Sequence, residues 1–382
     1  MKNICFIIND LSGAGAERVV LNLAEELVKL GHRVDIITLY NRLDYALDKN
    51  INLHSLEFNS HDKAIKNIKS NAILNAFSPL LRIADSIFKS THFTNNKKTQ
   101  ILLAKIAMLN IDVDLFVSHL PDADQICIAA KLPNLYCCIH RGISDEIRMH
   151  SKNKLYYKIM QILRQKTYKN QHLIGVSAGV SRDILQLGIK PKSVQTIYNI
   201  LDFAKIKNQA KKYQPTEQDY IICIGRLSKE KRFDILINAY KQANIKQKLL
   251  IFGQGAQQPN IQKLIDDLDL TQQVVLKGFK PNPYPYIKNA KALILSSDIE
   301  GLPTVLLEAL VLGVPIVSSN CRFGPNEILT AELADFLSPV GDAAALAANI
   351  AKMIQSPIKI DAKFTAKFTK EVAIRKYLAL CK

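Results

Sequence analysis

The chain alternates short, largely apolar runs with stretches of helical period, and it does so in two successive blocks. In the first block the apolar runs are Ile4–Ile8, Val34–Leu39, Leu53–Leu56, Leu115–Val117, Leu135–Ile139 and Leu173–Val176, with helical patterns over Ala16–Leu30 and Ala178–Leu187. In the second they are Tyr220–Ile224, Lys248–Phe252, Val274–Leu276, Ala292–Leu295, Pro315–Val317 and Asp335–Leu337. Helical patterns there cover Phe233–Gln242, Gln257–Leu268, Thr304–Leu312 and Ala343–Ile354. Runs that are apolar at most positions indicate strands covered on both faces, and hence parallel sheets with helical crossovers. Two blocks predict two doubly wound α/β domains, and 382 residues exceed one ordinary core.

The expected boundaries follow composition. Residues 1–200 form the first domain and 217–360 the second, joined by a polar, proline-containing linker over 201–216. Residues 361–382 predict a basic amphipathic helix that packs back on the first domain. Residues 57–110 exceed a tight βαβ unit. They predict two extra helices, Ala72–Phe88 and Thr99–Leu109, joined by the polar run Thr91–Lys98.

Charge points to an anionic partner. The net charge is +17, and residues 1–216 hold 30 basic against 18 acidic side chains. The excess concentrates in 62–110 and 141–172, each with eight basic and two acidic groups. Such patches suit anionic lipid, nucleic acid or a phosphorylated substrate. Residues 151–170 predict a helix with Leu155, Tyr156, Ile159 and Leu163 on one face and Lys154, Lys158, Lys166 and Lys169 largely on the other. No apolar run reaches the roughly 18–20 residues of a spanning helix, and the N-terminus reads as a first buried strand rather than a signal peptide. A cytoplasmic protein is expected. The seven cysteines have no metal-like spacing, which suits small buried hydrophobes.

The loops after the strands carry the chemistry. Residues 296–318 begin where an apolar strand ends, pass through Glu300-Gly301, and enter a helix near Pro303 that carries Glu308 in its second turn. A helix N-terminus holds an anion, and carboxylates hold sugar hydroxyls, so a sugar nucleotide fits both. The strand at 220–224 ends in Gly225-Arg226-Leu227-Ser228-Lys229-Glu230-Lys231. Arg226 offers a planar fork and Lys231 a mobile point charge to one diphosphate; Lys229 and Arg232 are expected in solvent. Gly253-Gln254-Gly255 borders the nucleotide, and Lys277-Gly278-Phe279 reaches either the base or, for Phe279, the core.

In the first block, Asn9 to Glu17 form a glycine-bearing turn (Gly13, Gly15) that opens a helix toward an anion. Position 18 is arginine where a nicotinamide-binding loop wants a small residue, and the second strand ends in Thr38-Leu39-Tyr40 without an acid. Both features weigh against a dehydrogenase. His140, at a strand's carboxyl edge, faces the ligand side and can bond a hydroxyl or stabilise charge, whereas His119 is expected to be structural. Asp112-Val113-Asp114 and Asp122-Ala123-Asp124 flank a strand and read as turn and helix-cap residues rather than a metal site.

Taken together, Gly15-Ala16-Glu17-Arg18-Val19-Val20, Ile139-His140, Gly225-Arg226-Leu227 with Glu230-Lys231, and Glu300-Gly301-Leu302-Pro303-Thr304 followed by Glu308-Ala309 resemble the retaining glycosyltransferases of family 4 (glycosyl transferases group 1). The resemblance runs over nearly the whole chain, and the last piece is that family's Glu-x7-Glu signature. It implies the GT-B fold, α/β with two doubly wound Rossmann-like domains facing across a cleft, and transfer of a hexose or N-acetylhexosamine from a UDP-linked donor. The acceptor it implies is a glycan or lipid-linked molecule of bacterial surface polysaccharide or lipopolysaccharide synthesis. By the same resemblance Gly15 lies beside the donor diphosphate, Arg226 and Lys231 neutralise it, Glu308 bonds the ribose, Glu300 contacts the sugar and His140 lines the sugar site. Backbone groups of Leu302, Pro303, Thr304 and Val305, next to Gly301, add phosphate and sugar contacts. No metal and no cofactor are expected.

The basic helices of the first domain are expected to meet an anionic inner-membrane surface, giving a peripheral location. A sugar-nucleotide epimerase of the same fold is the rival enzyme. A non-catalytic nucleic-acid-binding protein is the rival of another class, and it leaves Glu300 and Glu308 without a role.

Overall fold

The computed structural model of the protein describes residues 1–12, 15–45, 47–58, 96–150 and 153–382. They fall into two compact units. The first comprises Met1–Gly175, Ser181–Ile197 and Ile374–Lys382; the second comprises Val176–Val180 and Tyr198–Ala373.

The first unit is built on a seven-stranded sheet of order β3-β2-β1-β4-β5-β6-β7. Its strands are β1 (Asn3–Ile8), β2 (Arg33–Thr38), β3 (Asn52–Ser55), β4 (Leu115–His119), β5 (Leu135–Ile139), β6 (His172–Gly175) and β7 (Ser193–Thr196). Every pairing is parallel. The central strands are buried along their length, as in Leu115–His119 and Leu135–Ile139, which is why they read as continuous apolar runs. The order reverses between β1 and β4, so the loop after β1 and His119 at the end of β4 flank the switch point of this sheet.

β7 has no counterpart among the expected strands. Its sequence, Ser-Val-Gln-Thr, is a half-exposed edge, and an edge strand needs no apolar run. The expected helix at 72–88 lies outside the described residues; the one at 99–109 lies within a helix over 96–109. The end of the chain is part of this unit. Tyr377 is buried, Lys376 Nζ donates to the Thr196 carbonyl at 2.8 Å, and Asn134 Nδ2 donates to the Leu380 carbonyl at 2.9 Å.

The second unit is built on a six-stranded sheet of order β10-β9-β8-β11-β12-β13. Its strands are β8 (Tyr220–Ile224), β9 (Lys248–Phe252), β10 (Val274–Gly278), β11 (Leu293–Leu295), β12 (Ile316–Ser319) and β13 (Leu337–Ser338), again all parallel. Helices Phe233–Ala243 and Ala343–Gln355 cover one face. Phe233, Leu236, Ile237 and Tyr240 from one, and Leu346, Ile350 and Met353 from the other, enter the same core. Each such side chain contributes about 1.5–3 kcal/mol on burial.

Residues 201–216 are more than a linker: Asp202 caps a helix over Phe203–Gln209 through Lys205 N. In that helix Ile206 alone is buried, so it leaves no periodic trace. The closing segment is likewise shorter in helix than expected, with 3₁₀ turns at Ala362–Phe364 and Ala366–Phe368 before the helix Lys370–Leu378. Glu327 accepts from the Ala178 and Gly179 amides at 2.8 and 2.7 Å and from the Tyr198 hydroxyl at 2.9 Å. Those bonds tie Val176–Val180 into the second unit.

Candidate functional site

In the second unit the strand order reverses between β8 and β11, and in an open parallel sheet a ligand crevice lies at the carboxyl ends of such a pair. The loop after β8 holds Arg226 and Lys231. The loop after β11 holds Glu300 and leads to Glu308. Lys231 Nζ and Glu300 Oε1 meet at 2.5 Å, with side chains only 20% and 12% exposed. Arg226 is exposed, and its guanidinium makes no hydrogen bond or ion pair with the described residues.

Serines fix this pair from below. Ser297 Oγ donates to Glu300 Oε1 at 2.7 Å, and Ser319 Oγ donates to the Ser297 carbonyl at 2.6 Å. Ser296 Oγ donates to the Lys231 carbonyl at 2.8 Å. The three serines are buried. None stands out in the sequence: Ser296 and Ser319 find their partners at other strand ends, and Ser297 bonds a carboxylate three residues on in an aperiodic loop. Arg232, expected in solvent, instead bridges Asp234 and Asp298. It sits at a left-handed residue joining the 3₁₀ turn Lys229–Lys231 to the next helix, and that bend folds its guanidinium back on both acids.

Backbone contacts lock the neighbouring loops together. Gly225 N donates to the Phe252 carbonyl, Leu227 N to the Gln254 carbonyl and Gly253 N to the Gly278 carbonyl, at 3.0, 3.0 and 2.9 Å. Gly253 has φ +144°, and a Cβ there would lie 1.9 Å from the Gly225 carbonyl oxygen. Only glycine permits that approach. The register between β9 and β10 shifts at Leu276/Gly278, and Lys277 turns to Glu217, whose carboxyl this hydrogen bond pulls down to about 2. Phe279 is 59% exposed and is therefore not core.

Helix Thr304–Val311 starts with Pro303 at its N-cap and no side-chain cap, so its first amides and positive dipole end are left to other acceptors. Gly301, Leu302 and Pro303 are buried and Thr304 and Val305 half-buried. Gly324 packs on this loop, with φ +96° and only 2.5 Å between its would-be Cβ and Pro303 Cδ. Glu308 is buried, and its Oε1 accepts from the Tyr284 hydroxyl at 3.4 Å.

In the first unit Gly15 begins the helix Gly15–Lys29; Gly13 and Ala14 lie outside the described residues. Asp10 Oδ1 accepts from both the amide and the hydroxyl of Ser12. His140 is not alone: its Nε2 lies 2.8 Å from Nδ1 of His119, a residue expected to be structural. Burial pushes His140 down to about 4, and burial together with His140 pushes His119 well below the ordinary range. Both imidazoles are therefore neutral near pH 7, and His140 acts as a hydrogen-bonding group rather than a cation.

Cys138 completes a group with these histidines, one ligand atom from each within 4.8 Å of the others, and is the one such trio among the described residues. Burial pushes its thiol up to about 12, so it is protonated beside the Tyr377 hydroxyl. Asp122 and Asp124 do not cap their helix, whose N-cap is Leu120. Asp124 is buried, takes hydrogen bonds from Ser118 and Tyr168, and is pushed up to about 7 by burial.

Comparison with known proteins matches both units. The family profile described as Glycosyltransferase Family 4 covers residues 13–205, and the one described as Glycosyl transferases group 1 covers 204–371. An uncharacterized glycosyltransferase of Methanocaldococcus jannaschii is 32% identical over 238 residues, 58% of this chain and 59% of that one, less than two thirds of the relative's length. The N-acetylgalactosamine-N,N'-diacetylbacillosaminyl-diphospho-undecaprenol 4-alpha-N-acetylgalactosaminyltransferase of Campylobacter jejuni is 25% identical over 331 residues, 86% of this chain and 83% of that one. The crystal structure of Anabaena HepE in complex with UDP and glucose superposes with a TM-score of 0.69 at 16% identity, over 99% of this chain and 98% of that one. That likeness shows the fold, two Rossmann-like parallel-sheet units of the GT-B class.

Proposed function

The chain belongs to glycosyltransferase family 4, and from that premise we propose that it is a retaining, metal-independent enzyme that moves a hexose or N-acetylhexosamine from a UDP-linked donor to a glycan or lipid-linked acceptor of bacterial surface polysaccharide. The observation that carries this reading is the Lys231–Glu300 pair spanning the ends of β8 and β11, one charge suited to a diphosphate and the other to sugar hydroxyls. Support for the donor and acceptor classes comes from the relatives. HepE is seen with UDP and glucose, and the Campylobacter enzyme's name sets N-acetylgalactosamine on a diphospho-undecaprenol-linked sugar.

Breaking the sugar–phosphate bond leaves positive charge on the sugar and negative charge on the diphosphate. Arg226, Lys231 and the amides at Thr304 and Val305 stabilise that leaving group without reorganising. Glu308 is assigned to the ribose, and Gly253, Gly278 and Phe279 to the nucleotide's border. Glu300 bonds hydroxyls of the transferred sugar. The acceptor hydroxyl attacks on the face the diphosphate leaves, a diphosphate oxygen takes its proton, and the anomeric configuration is kept.

Thermal-shift titration against a panel of nucleotide sugars tests this. One UDP-sugar is expected to raise the melting temperature, and Glu308→Ala to weaken its binding at least ~10-fold, the loss of one charge-assisted hydrogen bond. No shift with any nucleotide sugar, or undiminished affinity in Glu308→Ala, contradicts the reading.

The acceptor's surface is a membrane. On helix Lys154–Tyr168, Leu155 and Ile162 are 39% and 44% exposed, and Lys154, Lys158 and Lys166 are exposed around them. A basic rim about exposed apolar groups suits an anionic leaflet, and no helix among the described residues is long and apolar enough to cross one. The protein is expected to float with phosphatidylglycerol liposomes at low salt and to stay behind with neutral ones. Equal recovery in both ends the membrane assignment.

A further inference from the structure

We propose that Glu300 is a built-in counter-ion that a diphosphate must displace from Lys231, and that the pair thereby selects an intact nucleotide sugar over the bare nucleoside diphosphate left after transfer. The inference rests on the donor-site reading above and adds to it a route for product release.

The geometry gives the pair both strength and a fixed frame. The ammonium and carboxylate are 2.5 Å apart and mostly out of solvent, where charges are weakly screened. The carboxylate cannot simply swing away, because Ser297 Oγ holds the same Oε1. Ser297 is fully buried, and Ser319 holds its carbonyl. Lys231 is held at its own carbonyl by Ser296. Cys223, beneath the pair, is buried and has its thiol pushed up to about 12 by desolvation, so it adds no charge. Glu300 therefore stays beside whatever takes Lys231.

Two ligands meet this arrangement differently. An intact nucleotide sugar draws Lys231 toward its diphosphate and returns hydroxyl donors to Glu300. The anion keeps charge-assisted partners, and the exchange is close to even. A bare nucleoside diphosphate takes Lys231, returns no donor, and carries an additional negative charge on its terminal phosphate. Glu300 is then left beside a like charge in a poorly screened site. Once the sugar has gone, the carboxylate reclaims the ammonium and the product is released. Ser297 is the positioning residue of this exchange.

Calorimetric titration with UDP, ADP and GDP tests the proposal on the full chain. Glu300→Gln keeps the shape and the Ser297 contact but removes the charge. It is expected to bind the preferred diphosphate about 10-fold more tightly than the wild type, about 1.4 kcal/mol, while sugar transfer falls. Glu300→Asp keeps the charge and is expected to show no such gain, which separates charge from fit. Lys231→Met is expected to weaken the same diphosphate at least ~10-fold. If Lys231→Met leaves diphosphate affinity unchanged, or none of the three nucleotides binds, the donor-site reading fails and the proposal with it. If Lys231→Met weakens binding while folded Glu300→Gln binds no tighter than wild type, the site stands and the counter-ion exchange is overturned. A gain in Glu300→Asp equal to that in Glu300→Gln also overturns it.

Discussion

Replacing Lys231 by methionine is expected to lower kcat/KM for sugar transfer by roughly 10²–10³, the cost of removing one preorganised charge from a leaving-group site, about 2.7–4 kcal/mol. Methionine keeps much of the side chain's length and apolar stem, so the local packing survives and the charge is what is lost. The effect is large because the ammonium is mostly out of solvent and its carbonyl is fixed by Ser296. A lysine in open water would reorient and be worth far less. The loss should fall on kcat as well as KM, since negative charge on the diphosphate grows as the sugar departs. Circular dichroism and melting temperature report whether the fold is intact. A folded variant within about threefold of wild type would show that the diphosphate leaves elsewhere.

Gly253→Ala is expected to be strongly destabilising. The added Cβ would lie 1.9 Å from the Gly225 carbonyl oxygen at a backbone angle of φ +144°. Neither partner can yield easily, because Gly225 N is bonded to Phe252 and Gly253 N to Gly278. Strain at a positive φ and a main-chain collision together cost about 3 kcal/mol or more. For a unit of this size each kcal/mol moves the melting temperature roughly 2–4 °C, so a fall of roughly 6–12 °C is expected. Nucleotide affinity should fall with it, since Gly225 immediately precedes Arg226. A variant that melts with the wild type and binds UDP normally would mean that the two loops separate at little cost.

Strands buried on both faces were the easiest features to find in the sequence, because full burial leaves an unbroken apolar run. Leu135–Ile139, Tyr220–Ile224 and Lys248–Phe252 were placed to the residue. Elements that bury little left no such mark. β7 is a polar edge, and helix Phe203–Gln209 buries Ile206 alone. The candidate site shows the same division. Glu300, Arg226 and Lys231 stand out as charged residues in loops that follow apolar strands, and Glu308 as an acid within an otherwise apolar helix. The Ser319–Ser297 and His119–His140 contacts arise from strands adjacent in the sheet but distant in sequence, and no local pattern encodes them. Arg232 and Asp124 were misjudged for a related reason. Each has one partner nearby in sequence and a second, Asp298 or Tyr168, that only the fold brings within reach.

Synthesis order gives the closing residues a significance beyond packing. The first unit draws on Met1–Gly175, Ser181–Ile197 and Ile374–Lys382, so its wall at Tyr377 emerges from the ribosome only after the whole intervening unit. Until it arrives, the amino-terminal sheet lacks the Tyr377 side chain that packs beside Cys138.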